Sequence, residues 1–328
     1  MKKLKLAIIG CAGMPYDALY DCTKKLPVEL CAVCAEENDA KEFCGRYHVP
    51  AVYSDYRQML KDKSPGLVWV FTAEELMADI STDCLQAGAY VYAERPICLD
   101  SQSALLMVEV QKETGCYAVP RFNRRHMPGY MMAREIVSRG EFGCPTMFLG
   151  KFQAPEYAGD KRMLWWHVSH MVDTARFLLG EIRLLHVARS IFSPTKICYN
   201  ISFATPEGCI GMIQCGSTQC YEYPMERVEV AGEGCNVIVD NTRRVEYNRS
   251  TPHRVRNSEM VLTKDTDALV WNMNLAHIGH FTFTGLDGCM EDLVDAALTG
   301  RKPDFDMSDT LETIRLLEAI EQMVEDVK

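Results

Sequence analysis

Residues 6–15 read LAIIGCAGMP. A short apolar run followed by two nearby glycines admits three readings. It is a strand entering a dinucleotide-binding turn, the tail of an export signal, or a buried strand ending in a plain loop. Lys2 and Lys3 give the signal reading a positive start, and Ile8-Ile9-Gly10-Cys11 resembles a lipoprotein cleavage box. The apolar core is too short, however. Lys5 interrupts it and leaves only Leu6 to Ile9, against the roughly 7–15 residues of an export core. The sequence downstream bears on the other two.

Working outward, apolar runs alternate with helical patterns. Residues 4–10, 28–35, 49–53, 67–72, 90–94 and 116–120 read as strands, and 15–25, 38–47, 56–62, 73–87 and 101–114 as helices. Asn38 is placed to cap the second of these helices. Continuously apolar strands separated by helices predict a parallel sheet covered on both faces. After residue 120 the rhythm changes. Residues 146–152, 184–189, 196–204, 209–216, 226–230 and 235–240 alternate apolar and polar, the pattern of antiparallel strands. Helices are expected at 128–139, 165–179, 287–298 and 308–326. The expected architecture is α/β. A Rossmann-type, doubly wound parallel sheet spans 1–120. A second α/β domain with a large, open, mainly antiparallel sheet spans 121–328 and carries substrate binding and oligomerisation. The C-terminal helices are free to pack back on the first domain.

A strand, tight turn and helix N-terminus form an anion site, because backbone N–H groups and the helix dipole both favour phosphate. The usual fingerprint is G-x-G-x-x-G. Here Gly10 keeps the first glycine, Ala12 takes the second place, Pro15 the third, and Gly13 lies between; Met14 completes the turn. Ala12 adds one methyl group, and Pro15 is comfortable in a first helical turn. Glu36 and Glu37 follow the second strand, where a carboxylate is expected on ribose hydroxyls. Two carboxylates there would repel a 2′-phosphate, which favours NAD over NADP without settling it. A solvated charge pair at a strand end is the plainer alternative.

Composition narrows the class. With 35 basic and 45 acidic residues the net charge is −10, and no basic block is present to neutralise nucleic-acid phosphates. No apolar run approaches the roughly 18 residues that span a membrane. Fifteen cysteines without an export signal read as reduced thiols of a cytoplasmic protein. Cys31 and Cys34 have redox-pair spacing, but on a strand i and i+3 face opposite sides, so they read as core thiols.

Further motifs carry a resemblance. Residues 90–100 (YVYAERPICLD), 121–128 (RFNRRHMP), 140–148 (GEFGCPTMF), 170–181 (HMVDTARFLLGE) and 292–303 (DLVDAALTGRKP), together with the opening turn, resemble the Gfo/Idh/MocA family of glucose–fructose oxidoreductase and inositol dehydrogenase. The resemblance implies an NAD(P)-dependent oxidoreductase acting on CH–OH groups of a sugar-like or cyclic polyol, as a homodimer or homotetramer. It places Thr72, Glu94, Arg95 and Pro96 beside the cofactor, with Gly10, Ala12, Gly13, Met14 and Glu36. The family's Glu-Lys-Pro is Glu94-Arg95-Pro96 here, and Arg stays charged where Lys can lose a proton. A carboxylate that many members carry four residues before the histidine is Trp166.

His170 is the candidate proton-transfer group, since an imidazole titrates near neutrality. His167 and Asp173 lie three residues to either side, on the same face of an α-helix, and Asp173 is placed to orient His170. Asn123 and Arg124 follow the sixth strand, where ligands of open α/β sheets gather, and are candidates for substrate hydroxyls; Arg125 reads as solvated. Trp166, with Trp165, is a candidate aromatic wall or core packing. Two alternatives stay open. One is a cofactor- or ligand-binding member without catalysis, favoured by Arg95 and Trp166. The other is a metal-dependent enzyme using His167, His170 and Asp173, with His277 and His280 as further donors, although no metal is assigned.

Overall fold

The computed structural model describes residues 3–11, 24–219, 225–250, 266–274 and 280–327. The chain forms two compact units, Met1–Asn123 with Thr284–Glu318, and Arg124–Phe283 with Ala319–Lys328.

The first unit is built on six parallel strands: β1 (Leu4–Ile9), β2 (Val28–Cys34), β3 (Val52–Tyr53), β4 (Leu67–Val70), β5 (Tyr90–Ala93) and β6 (Ala118–Pro120). Their order is β3-β2-β1-β4-β5-β6, the Rossmann order. Every residue of β4 and β5 is buried, as helices on both faces require. The helices α1 (Glu37–Tyr47), α2 (Tyr56–Lys63), α3 (Glu74–Gln86) and α4 (Ser101–Thr114) follow β2 to β5. Local chemistry sets their ends. Asp55 caps α2 by accepting from the Arg57 N–H at 2.9 Å. Asp100 caps α4 through the Ser103 N–H at 2.7 Å, and Gly115 ends α4 in the left-handed region. Asn38 is not a cap. Glu36 keeps an extended backbone and its carbonyl accepts from Ala40 N, so α1 begins one residue earlier and Asn38 lies inside its first turn. Most of the helix expected at 15–25 lies outside the described residues; residues 24–27 form a turn.

The second unit carries a nine-stranded sheet in the order β14-β13-β12-β11-β7-β10-β9-β8-β15. The strands are β7 (Met147–Gln153), β8 (Arg183–Ser193), β9 (Lys196–Ala204), β10 (Ile210–Gly216), β11 (Met225–Ala231), β12 (Asn236–Asp240), β13 (Arg244–Ser250), β14 (Thr266–Asn272) and β15 (Val324–Asp326). Pairing is antiparallel except for β7 with β10 and β15 with β8. Burial alternates along β7 and β10, so one face of the sheet is packed and the other open. Helices α5 (Pro128–Val137) and α6 (Ser169–Leu179) lie on the packed face, against β12 and β7 respectively. Strands β13, β14 and β15 were not expected. The final helix, expected to reach 326, stops at Met323. Residues beyond it form the edge strand β15, where Asp326 takes two bonds from Arg189 at 2.7 and 3.0 Å.

The helix expected from residue 165 begins differently. Met163–Val168 forms a turn of π-helix, and regular α-helix starts only at Ser169. Such wide turns occur as isolated insertions in helices, often at functional sites.

Candidate active site

In the first unit, the order of strands reverses between β1 and β4, and the carboxyl ends of these two strands flank the crevice where doubly wound sheets bind ligands. Gly10 follows β1 there with φ +82°, and an added Cβ would stand 1.9 Å from the Phe71 carbonyl oxygen. Gly10 N–H donates to the Cys34 carbonyl at 2.8 Å, and Phe71 N–H to the Ile9 carbonyl at 2.8 Å. The turn is thus clamped between β2 and β4. Ala12, Gly13, Met14 and Pro15 lie outside the described residues. The Cys11 thiol is pushed up to about 11, first by burial and then by the carboxylate of Asp39. Asp39 therefore acts on the glycine turn from the first turn of α1, a carboxylate that motif spacing did not single out. Glu36 is exposed at the start of α1, and Thr72 is half-buried just past β4.

Further along the same rim, Glu94, Arg95 and Pro96 follow β5, with Arg95–Pro96 in the cis form. Glu94 is buried. Its carboxylate accepts from the Arg95 backbone N–H at 3.0 Å and from Arg121 Nη1 at 2.8 Å. Arg121 follows β6, and its own N–H extends the ladder to the Ala93 carbonyl at 2.9 Å. Arg95 is 9% exposed. Asn123 donates from Nδ2 to the Thr284 carbonyl at 2.8 Å, which ties the end of this strand to the start of the returning segment.

In the second unit the ring of Phe152, on β7, organises a cluster. His167 stacks on it with centroids 3.9 Å apart and planes at 29°. His170 meets it edge-on at 6.2 Å, and the Arg124 guanidinium lies 4.5 Å from its centroid. His167 Nε2 is 3.1 Å from the Phe152 carbonyl oxygen. A neutral ring donates from that nitrogen, which leaves Nδ1 as the basic atom. Sequence spacing puts the two histidines together, and Phe152 is the residue on which they meet.

Arg124 is not laid out for solvent. Its Nε donates to Glu226 Oε1 at 2.9 Å and its Nη2 to Oε2. The Tyr130 hydroxyl also donates to Glu226, and all three residues are buried. Burial opposes the Arg124 charge, but Glu226 outweighs it and the guanidinium pKa is raised. The Tyr130 hydroxyl is pushed well above its ordinary value, by burial first and then by the Glu226 charge. Arg125, expected to be solvated, instead grips the Asp173 carboxylate with Nε at 2.9 Å and Nη2 at 2.8 Å. Consecutive arginines on the short helix Asn123–His126 thus each hold a different buried acid. Trp165 is core, with Nε1 donating to Glu321 at 2.8 Å. Trp166 is half-buried beneath the Arg162 guanidinium at 5.0 Å. Among the described residues no three His, Cys, Asp or Glu side chains are grouped so as to hold a metal ion. His277 and the side chain of His280 lie outside the description.

Comparisons with known proteins agree with this geometry. Residues 4–122 match the model of the Gfo/Idh/MocA oxidoreductase family, described as an NAD-binding Rossmann fold. An inositol 2-dehydrogenase of Salmonella typhimurium is 28% identical over 186 residues, 54% of this chain and 55% of that protein. The chain spans about half the length of the curated relatives it matches. A dehydrogenase structure from Chromobacterium violaceum has a TM-score of 0.85 at 16% identity, covering 98% of this chain and 95% of the other. A levoglucosan dehydrogenase in complex with NADH and L-sorbose has a TM-score of 0.82 at 17% identity, covering 98% and 97%. The N-terminal Rossmann domain of this chain belongs to the Gfo/Idh/MocA oxidoreductase family.

Proposed function

We propose that this chain, with its family-type Rossmann domain, is an NAD-dependent oxidoreductase that moves a hydride between nicotinamide and a carbinol carbon of a sugar-like or cyclic polyol. The observation that carries the reading is Gly10, held in the left-handed region at the switch point with no room for a Cβ. A close-packed glycine at the carboxyl end of the first strand is where doubly wound sheets turn into a pyrophosphate site. Gly10, Ala12, Gly13 and Met14 would hold the phosphates, Glu36 the adenosine ribose, and Thr72 with Glu94, Arg95 and Pro96 the nicotinamide side. Asp39 joins Glu36 in disfavouring a 2′-phosphate, hence NAD over NADP. The related inositol and levoglucosan dehydrogenases support a polyol or sugar substrate.

Bound NAD supplies the hydride acceptor. The chain must take up the hydroxyl proton, and His170 is assigned that role, since imidazole accepts a proton near neutral pH. His167 is assigned to fix the site by its bond to the Phe152 carbonyl. Asp173 is assigned to anchor Arg125 rather than to orient His170. Asn123 and Trp166 remain candidates for substrate contact, whereas Arg124 is assigned to the Glu226 pair. With Asp173 holding Arg125 and His167 bonded to Phe152, the metal-dependent alternative is not carried forward. We place the protein in the cytoplasm, in line with cysteines that are all free thiols among the described residues. No helix among those residues is long and apolar enough to cross a membrane.

Calorimetric titration with NAD(H) and NADP(H), followed by a polyol turnover screen, tests the reading. Micromolar NADH binding with turnover of a polyol is expected, and absence of binding by either cofactor overturns it. Arg95 favours a second reading, cofactor binding without catalysis, because a guanidinium does not give up a proton. NADH binding with no turnover across the panel would select it.

A further inference from the structure

We infer that Glu226 is a positioning residue for the two histidines of the site: through Arg124 it holds the ring of Phe152 on which His170 and His167 meet. The inference rests on the proposed reading in which His170 takes up the proton, and deepens it. In the pairing of β7 with β11, Glu226 stands directly opposite Phe152. On the other side of Phe152, Cys215 of β10 does the same. All three are buried, so a carboxylate lies in one row with an aromatic ring and a thiol. Burying a charge there is costly unless it is paired. Its partner is Arg124, whose Nε donates to Glu226 Oε1 at 2.9 Å and whose Nη2 donates to Oε2, and the Tyr130 hydroxyl donates as well.

Stability alone gives no reason for an ion pair here, because apolar residues of similar volume commonly serve a core as well. What the pair adds is direction. Two parallel bonds to one carboxylate fix the plane of the guanidinium. They set it 4.5 Å from the Phe152 centroid, within reach of a cation–π contact. The same ring carries His167, stacked at 3.9 Å, and meets His170 edge-on at 6.2 Å. Arg125, the next residue, grips Asp173 with Nε at 2.9 Å and Nη2 at 2.8 Å, three residues past His170 on α6. Consecutive arginines thus fix the helix that bears His170 and the ring that its imidazole meets.

The test compares the full chain carrying Arg124→Met, Glu226→Leu or both. Each single variant strands a buried charge and should melt early, whereas the double variant strands none and should recover much of that stability. A pair that serves only the fold would recover kcat along with it. For a pair that positions His170, kcat on the polyol found by the turnover screen is expected to stay down in the double variant. The expected loss is about tenfold to a hundredfold, the scale on which a small misplacement of a reacting group costs rate, with NADH affinity unchanged. Imidazole NMR signals of His167 and His170 are expected to shift in the unliganded double variant, while those of exposed His186 stay. Wild-type kcat, or unmoved His170 signals, in the folded double variant overturns the inference. If the double variant does not fold, Glu226→Gln, which keeps the shape and removes the charge that holds the guanidinium, is read by the same two measurements. A wild-type chain that binds NADH but turns over no polyol overturns the proton-transfer reading, and the NMR comparison still decides whether Glu226 places the imidazole.

Discussion

A Cβ at position 10 would stand 1.9 Å from the carbonyl oxygen of Phe71, so the first turn of the Rossmann sheet tolerates only glycine. Gly10→Ala has to move the backbone at Phe71, just past β4, or abandon φ +82°. The left-handed conformation alone costs a non-glycine residue about 1–2 kcal/mol, and the clash adds to that. The expected outcome is a melting temperature lower by several degrees and NADH affinity reduced at least tenfold, read by calorimetry and thermal melts. Unchanged affinity in a folded variant would remove Gly10 from the cofactor site.

His170 and His167 should separate kinetically although both touch Phe152. His170→Ala is expected to lower kcat by about 10²–10⁴, the usual worth of a positioned acid–base group, with NADH binding unchanged. His167→Gln keeps a donor for the Phe152 carbonyl and should retain most of the rate. If the two substitutions cost the same, or if His170→Ala leaves kcat intact, the proton-transfer assignment fails.

Much of this was legible because local rules and tertiary need agree. The buried runs of β4 and β5, the Asp100 and Gly115 ends of α4, and the Gly10 turn each announce themselves within a few residues. The partners of the arginines did not. Glu226 reaches Arg124 across 102 positions of sequence, and Asp173 reaches Arg125 across 48. No periodicity encodes such pairings, so Arg125 reads as solvated until the fold brings its acid to it. The π-turn at Met163–Val168 was hidden for a related reason. Its residues have ordinary helix propensities, and what sets the wider turn is packing, with Trp165 drawn to Glu321 and His167 to Phe152. Asp39 was overlooked because spacing rules look to the strand end, where Glu36 stands.

The Arg124–Glu226 pair is buried on both sides and shared with Tyr130. Removing one partner of such a pair strands a charge, at about 3–5 kcal/mol. Arg124→Met and Glu226→Leu are each expected to destabilise the protein by that order in urea melts. The double variant should cost less than the sum, because no charge is left alone. Strict additivity would show that the pair is not coupled.

Thiols set the alkaline limit. Burial pushes Cys11 and Cys34 up to about 11 and Cys289 to about 12, from an ordinary value of 9.0. Between those values the unfolded chain loses protons that the folded chain keeps, so the unfolded state gains as pH rises. Stability should therefore be level below pH 9 and fall steadily from about pH 9 to 12. A thiol-specific reagent at pH 8 should react quickly with exposed Cys144 and slowly with buried Cys84, Cys98 and Cys215. Rapid titration of the buried thiols without unfolding would contradict the assigned burial.

The open face of the nine-stranded sheet argues for self-association. Registered across β7 and β10, Met147 faces Ile210 and Leu149 faces Met212, and all four are exposed. Contiguous apolar surface of this kind marks interaction sites. Lys151, Arg227 and Glu229 lie at the edge of the same stripe, with the mixed charge that a self-complementary, two-fold contact can pair. The chain is expected to run as a homodimer or homotetramer in light scattering. Met212→Lys, which places a cation in the middle of the stripe, should shift it towards monomer while leaving the fold intact by circular dichroism. A wild-type chain that is monomeric at micromolar concentration, or a Met212→Lys variant that assembles as before, would assign that face to something other than a second copy.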